Sequence, residues 1–268
     1  MKNKNNHIIP NCLIKNFYLD GKGYTLYKDE QPLKINPVDE KDSAKIKGFS
    51  APYRFAEKSD GKIDASGEQR LSIIENQQIK VVRKILKKKS VNLADTELAV
   101  IFATIIFLGL RTRNGRKILI EPDSQISDEL KREFFETAKN VKNSPVYYAN
   151  TICDLYETFQ RILMDKNGSL IPGERQKFGY VYKENAYLLT DEPVYVWHEN
   201  VQNYYVVCLA ISKDLAVYYC DCLDHCKEFV RKTIKDSYNE YVVKQAKYTI
   251  LAPRQELIQE QMKKIANN

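Results

Sequence analysis

No stretch of this chain is long and apolar enough to cross a bilayer. Its central run of apolar or small residues, Leu98–Leu110, has thirteen residues. As a helix that is about 20 Å long, whereas a spanning helix needs ~20 apolar residues. The first residues, MKNKNNHIIPN, lack the apolar core of a secretory signal. The cytoplasm is therefore the expected compartment, and the six cysteines are expected to be reduced thiols. Signature motifs are missing as well. There is no G-x-x-x-x-G-K-[ST], no G-x-G-x-x-G, no H-E-x-x-H and no G-x-S-x-G, which argues against P-loop, Rossmann-type dinucleotide and α/β-hydrolase chemistry. Internal repeats and low-complexity segments are absent too.

What is present is the composition of a globular protein. The 268 residues are 43% hydrophobic and 29% charged, enough to bury a substantial core. Eighteen tyrosines stand against one tryptophan, and their amphipathic rings suit the border between core and surface. Net charge is +7. One reading is affinity for phosphate backbones; the other is a general bias of the chain toward Lys, Asn and Ile. The densest basic runs, Arg83–Lys89 and Arg111–Lys117, carry no interleaved aromatics of the kind that stack single-stranded bases.

Along the chain, Asp20–Gly23 reads as a turn between Phe17–Leu19 and a short strand at Tyr24–Lys28, and residues 30–66 as an irregular surface excursion. Glu68–Lys89 has an apolar stripe at helical spacing, with Glu75 inside it. Asn92–Gly115 follows as the central buried helix, about residues 93–113, with Ile101, Ile105 and Leu108 in the core. Asn92 is its expected N-cap, Asp95 falls at the third helical position, and Asn114-Gly115 is its stop signal. Two further amphipathic helices are read at Ser127–Val141 and Asn150–Met164. The period then switches to two. Phe178–Tyr182, Ala186–Thr190, Val194–Trp197, Tyr204–Ile211 and Leu215–Cys220 read as strands. Cys222–Tyr241 is helical, Val242–Leu251 strand or helix, and Pro253–Asn268 a polar helical tail. The pattern predicts a single α+β domain over 1–268, with a helical core about 68–165, a strand-rich part about 176–222 and C-terminal helices about 223–268. The central helix should sit in a helical cluster packed on a mainly antiparallel C-terminal sheet.

Four stretches in order also resemble a known family. His7-Ile8-Ile9-Pro10-Asn11-Cys12-Leu13-Ile14-Lys15-Asn16-Phe17 resembles the opening motif of domain-of-unknown-function family 4238. Leu71–Glu75 is similar to its acidic helix, and Phe107–Arg113 (FLGLRTR) to its central helix ending in arginine. Leu189–Val194 (LTDEPV) resembles its Ser-Asp-Asn-Pro turn, with Thr190 and Glu192 departing from the usual Ser and Asn. Leu209–Leu215 is similar to a following segment, without its two prolines. The resemblance spans about residues 5–250. It implies a pocket built from His, Glu, Arg and Asp, and supplies no reaction.

Physically, a carboxylate on an apolar helix face must be paired or protonated, because burying it alone costs several kcal/mol. Arg111 is the natural partner of Glu75, and together they form either a structural staple or part of a site. Asp191 follows a strand, and Pro193 holds Glu192 extended. His7, Glu75, Arg111 and Asp191 are therefore the candidate catalytic set, with Arg113, Arg116 and Lys117 the candidate substrate-binding residues. In one reading His7 is a general acid or base, Glu75 and Asp191 hold Mg²⁺ or Mn²⁺ or activate water, and Arg111 stabilises developing charge. Its best-fitting reaction is phosphodiester cleavage, as in a nuclease-like toxin or phage-defence effector with a nucleic-acid partner. The alternative is a non-catalytic ligand- or protein-binding module that these residues brace. The cluster Cys220-Asp221-Cys222-Leu223-Asp224-His225-Cys226 lacks the separated second pair that a structural zinc site draws on, so no metal is assigned to it. Oligomeric state is left open.

Overall fold

The computed structural model describes residues 8–49, 62, 64–89, 92–120, 144–200, 203–221 and 227–267. In chain order these form a one-turn helix α1 (Asn11–Ile14), strands β1 (Lys22–Tyr27) and β2 (Ile35–Asp39), and helices α2 (Ser66–Lys88), α3 (Asp95–Arg111), α4 (Arg113–Ile120) and α5 (Pro145–Ile162). Strands β3 (Phe178–Tyr182), β4 (Leu189–Thr190), β5 (Val194–Glu199), β6 (Tyr204–Ser212) and β7 (Leu215–Cys220) follow. Helix α6 (Lys227–Gln245), strand β8 (Thr249–Ala252) and helix α7 (Gln255–Ala266) complete the order. The expected Ser127–Val141 helix lies outside the described residues, as do Cys222, His225 and Cys226 of the cysteine cluster. Among the described residues no helix is long and apolar enough to cross a membrane.

The fold is α+β, as the pattern predicts, with two antiparallel sheets. The C-terminal sheet has strand order β3-β7-β6-β5. Its alternation assigns one face to each neighbouring helix. Tyr195 packs on Tyr238 and Tyr241, and Trp197 on Phe229, which seats α6. The opposite face carries Tyr219, whose ring centroid is 4.7 Å from that of Phe102 on α3, and Val194, which packs at Gly109 of α3. Helix α3 also packs on α2 and α5. Ile101, Ile105 and Leu108 are each 1% exposed or less, so α3 is the central buried helix between the sheet and the helical cluster.

The other sheet is β2-β1-β8-β4. Here the chain closes on itself, because β8 pairs with N-terminal β1 on one side and with β4 on the other. The four residues Thr249–Ala252 are all buried, as suits an inner strand carrying no charge. This sheet draws on residues 30–66, read above as irregular: Ile35–Asp39 is a strand and Glu40–Lys45 a 3₁₀ turn. Phe17–Leu19 does not form a strand either. Phe17 ends a 3₁₀ turn, and only Leu19 bridges to Lys22. Of Ala186–Thr190 only Leu189–Thr190 pairs. Val242–Leu251 divides, with helix up to Gln245 and strand from Thr249.

Both ends of α3 differ from the expected signals. It begins at Asp95, because Glu97 at the third position reaches back to accept the Ala94 N–H at 2.9 Å, the carboxylate half of a capping box. Asp95 instead accepts the N–H of Leu170 at 3.1 Å and binds Arg175. At the far end, Thr112 breaks the helix with an extended backbone, ψ 171°. Its hydroxyl donates to Gly109 carbonyl at 2.7 Å and accepts the Gly115 N–H at 3.1 Å. One threonine thus finishes α3 and N-caps α4. Asn114-Gly115 is therefore no stop signal; both residues lie in the first turn of α4.

Gly115 is needed for packing. A side-chain carbon there would fall on the carbonyl oxygen of Gly109 and the backbone of Leu110. Alanine within a helix is normally favoured over glycine by about 0.5–1 kcal/mol, but overpacking against backbone costs about 1–3 kcal/mol. Gly115→Ala is expected to lower the urea midpoint. A midpoint at or above that of the parent would show that the elbow has room.

Candidate functional site

The elbow at Thr112 places two arginines, each with its own carboxylate. Arg111 ends α3 and is 3% exposed. Its Nη1 donates to Glu75 Oε1 on α2 at 2.5 Å, and its guanidinium lies 5.6 Å from the Phe107 ring centroid. The Glu75 side chain is 31% exposed, so this pair has a buried end and an open end.

Arg113 begins α4. Its guanidinium stacks 4.1 Å from the Tyr248 ring centroid, donates to the Gly48 carbonyl at 3.4 Å, and stands 3.6 Å from Asp191 Oδ2. Asp191, directly after β4, has a side chain with no exposure. It accepts N–H bonds from Tyr248 at 3.2 Å and Thr249 at 3.1 Å, at the entry to β8. Burial pushes its carboxyl above the ordinary range, while these N–H groups and then Arg113 pull it back. Asp191 thus ties β4, β8 and α4 together.

The next residue is not in the expected catalytic set. Glu192 is 7% exposed, and its Oε1 accepts the Asn114 N–H at 3.1 Å. The carboxylate therefore occupies the N-terminus of α4, where a helix favours negative charge by roughly 0.3–1 kcal/mol, more when buried. Burial outweighs that preference. Together with the neighbouring Asp191 charge it raises the Glu192 carboxyl to about 7, against the hydrogen bond from Asn114 and the Arg113 charge. The sequence signal for this role was available: an acidic residue two positions from a strand end, next to a proline, with a threonine-capped helix to receive it. It is hidden because a central helix over about 93–113 puts Thr112 in its last turn, whereas the helix ends at Arg111.

A small cavity opens one turn of α2 beyond Glu75, lined by neither Glu75 nor Arg111. It measures about 20 Å³ and is walled by Pro10, Leu13, Val82, Leu108, Leu209 and Ile211, with Cys12, Gln78, Ile79 and Thr104 completing it. Gln78 and Ile79 lie one turn beyond Glu75 on the same face of α2. The Cys12 thiol is raised first by burial and next by the Glu75 charge, which places the carboxylate within electrostatic reach of this wall. A larger cleft of about 310 Å³ separates α2 from α5. Its Arg70 is already bound by Asp154 at 2.7 Å and Glu157 at 3.0 Å, so it offers little to an anion.

Of the expected set, the structure therefore joins Glu75 to Arg111 and Asp191 to Arg113, both pairs hanging on one elbow. His7 lies outside the described residues; the next residue, Ile8, is hydrogen-bonded to the Phe49 carbonyl at 2.7 Å. Of the expected substrate-binding residues, Arg113 is held as above and Arg116 lies 5.3 Å from the Tyr148 ring centroid. Lys117 is exposed. Among the described residues no three or more His, Cys, Asp or Glu side chains stand together as a metal-binding group.

The family described as protein of unknown function (DUF4238) matches residues 5–256, and the chain belongs to it. No curated protein matches the chain, and no solved structure does.

The raised Glu192 carboxyl has a consequence for stability. The folded state holds the proton more tightly than the unfolded chain, whose carboxyl titrates near the ordinary glutamate value of 4.5. Its stabilising contribution is thus complete below that range and is lost as pH rises through about 7. Glu192→Gln keeps an acceptor for Asn114 and removes the titration. Its advantage over the parent should grow between pH 5 and pH 8, reaching about 3 kcal/mol at most. Denaturation curves at several pH values check this; a constant difference would mean that Glu192 titrates normally.

Proposed function

We propose that the chain is a non-catalytic binding module, braced by its arginine–carboxylate pairs, with its ligand site beside Glu75. The observation that carries this is the state of Asp191. A catalytic or metal-holding carboxylate must present an oxygen to substrate, ion or water. Asp191 has no exposed side-chain surface, and its oxygens are engaged by backbone N–H groups and Arg113. That arrangement is what a brace requires and what a hydrolytic centre cannot use.

The second reading, a nuclease-like hydrolase of a toxin or phage-defence type, draws on a different observation. The Glu75 carboxylate is partly open to solvent, and Arg113, Arg116 and Lys117 follow closely on its partner Arg111. Against it stands the state of the basic residues. Arg70, Lys84, Arg111, Arg113, Arg175 and Lys177 are all held by carboxylates, so these six are already engaged within the fold.

Labelled RNA and DNA, incubated with and without Mg²⁺ or Mn²⁺, should remain intact. Asp191→Ala, which strands two buried N–H groups and the Arg113 charge, should lower stability by about 3–5 kcal/mol. Divalent-dependent cleavage that is lost in a folded Glu75→Gln variant would replace the binding module by the hydrolase.

A further inference from the structure

We propose that the C-terminal half of α2, together with Tyr182 at the end of β3, is a binding surface for single-stranded nucleic acid. This surface is apart from the ligand site beside Glu75 and adds a macromolecular partner to the binding module.

From Asn76 to Lys89 the chain carries six cations and no carboxylate. The apolar face of α2, with Val81, Val82 and Ile85, is buried in the fold, so the cations stand on its outer face. Lys80, Arg83, Lys87 and Lys88 are exposed and recur every three or four residues, as one stripe of the helix. Glu97 binds Lys84 at 2.6 Å and also feels the Lys88 charge. Lys80, Arg83 and Lys87 have no ion pair among the described residues. The helix dipole favours cations in the last turn and fades beyond it. It accounts for Lys87 and Lys88, but not for Lys80 and Arg83, which lie further in. Like charges at this spacing repel, and a polyanion lying along the stripe removes that repulsion.

The basic run contains no aromatic residue, but the fold supplies one. Lys89 is left-handed at the C-cap of α2, with φ 49°. Its Nζ lies 4.8 Å from the ring centroid of Tyr182. Tyr182 is the last residue of β3 and is 40% exposed. Lys183 and Glu184 beyond it are both exposed, and their charges offset each other. A row of cations that leads to an open ring suits a single strand, whose phosphates follow the cations while a base stacks on the ring. From Lys80 to Lys88 the row is about 12 Å long, the reach of a few nucleotides.

Two other polyanions fit less well. A duplex keeps its bases stacked inside and offers none to Tyr182. An anionic bilayer takes up an apolar helix face beside the cations, and the apolar face of α2 is already buried in the core.

The test is fluorescence anisotropy of the full chain with labelled oligouridylate and oligothymidylate of about 16 nucleotides. EDTA is present, so that binding is read apart from any cleavage. The parent should bind at least one strand at low salt, and the strand it prefers distinguishes RNA from DNA. Lys80→Gln, Arg83→Gln and Lys87→Gln, combined in one chain, remove roughly three phosphate contacts. The slope of log K against log salt should then shrink by about 2, at roughly 0.7 for each contact. Tyr182→Ala should weaken binding about five- to 150-fold, the loss of one stacked base. Tyr182→Phe keeps the ring and should bind as the parent does. All four replaced side chains are exposed, so the melting temperature should not move. The proposal is overturned if neither strand binds the parent, or if a duplex of the same length binds as tightly as the single strand. It is equally overturned if the combined charge variant or Tyr182→Ala binds as the parent does. Uptake of the chain by phosphatidylserine vesicles, with no binding of either strand, would assign the patch to a membrane instead.

Discussion

The buried carboxylate of Asp191 is the constraint on which the rest of this structure depends. It sits where β4 ends, where β8 begins and where α4 starts, three points far apart in sequence. Removing a carboxylate from water costs several kcal/mol. The cost is offset here because Asp191 meets backbone N–H groups of Tyr248 and Thr249 and the Arg113 guanidinium, each a charge-assisted contact of about 1.5–3 kcal/mol. These donors also explain the local chain path. Arg113 can reach Asp191 only because Thr112 turns the chain at the end of α3, and Thr112 can turn it only because Gly115 lets α4 cross closely over the end of α3. The Gly48 carbonyl, bound by Arg113, adds the loop after β2 to the same junction. Arg113, fixed by the aspartate, thus links helices, loop and sheet.

The neighbouring pair shows how similar chemistry yields a different outcome. Glu75 and Arg111 also join two elements, but Glu75 sits at the edge of its apolar stripe and keeps about a third of its surface. It needs fewer partners, and it leaves an oxygen uncommitted. Two acid–base pairs separated by one residue in the α3–α4 elbow therefore divide the work. One is closed and structural, and the other is open and available.

The elements whose cause is local could be read from the sequence. The apolar run Leu98–Leu110 becomes α3, and period-two alternation places most of the C-terminal strands correctly. The Glu75–Arg111 pair followed from a charge on an apolar face next to a helix-ending arginine. What was not legible depends on contacts distant in sequence. Strand β2 looks irregular alone, and it is a strand because β1, itself held by β8, stands beside it. Asn92 is a good N-cap by type, yet Glu97 supplies the acceptor at Ala94. Asn114-Gly115 carries the standard signal for a helix end. Here the glycine is selected by a carbonyl from the previous helix, which no local rule contains.

Asp191 and Glu192 finally show why burial alone does not assign a role. Both are carboxylates below 10% exposure on adjacent residues, and both are pushed upward by desolvation. Asp191 has the Tyr248 and Thr249 N–H groups and Arg113 to oppose its burial. Glu192 has the Asn114 N–H and a more distant Arg113, while the Asp191 charge opposes it. Its carboxyl is therefore raised to about 7, and the N-terminus of α4 holds a group that is part acid and part anion at neutral pH. An asparagine there would accept the same N–H without a charge. The glutamate instead makes the first turn of α4, and with it the elbow that carries both arginines, depend on proton activity. A brace of pure geometry would have no such dependence, so the acidic residue at 192 gives this chain a physical property that the Ser-Asp-Asn-Pro form of the turn lacks.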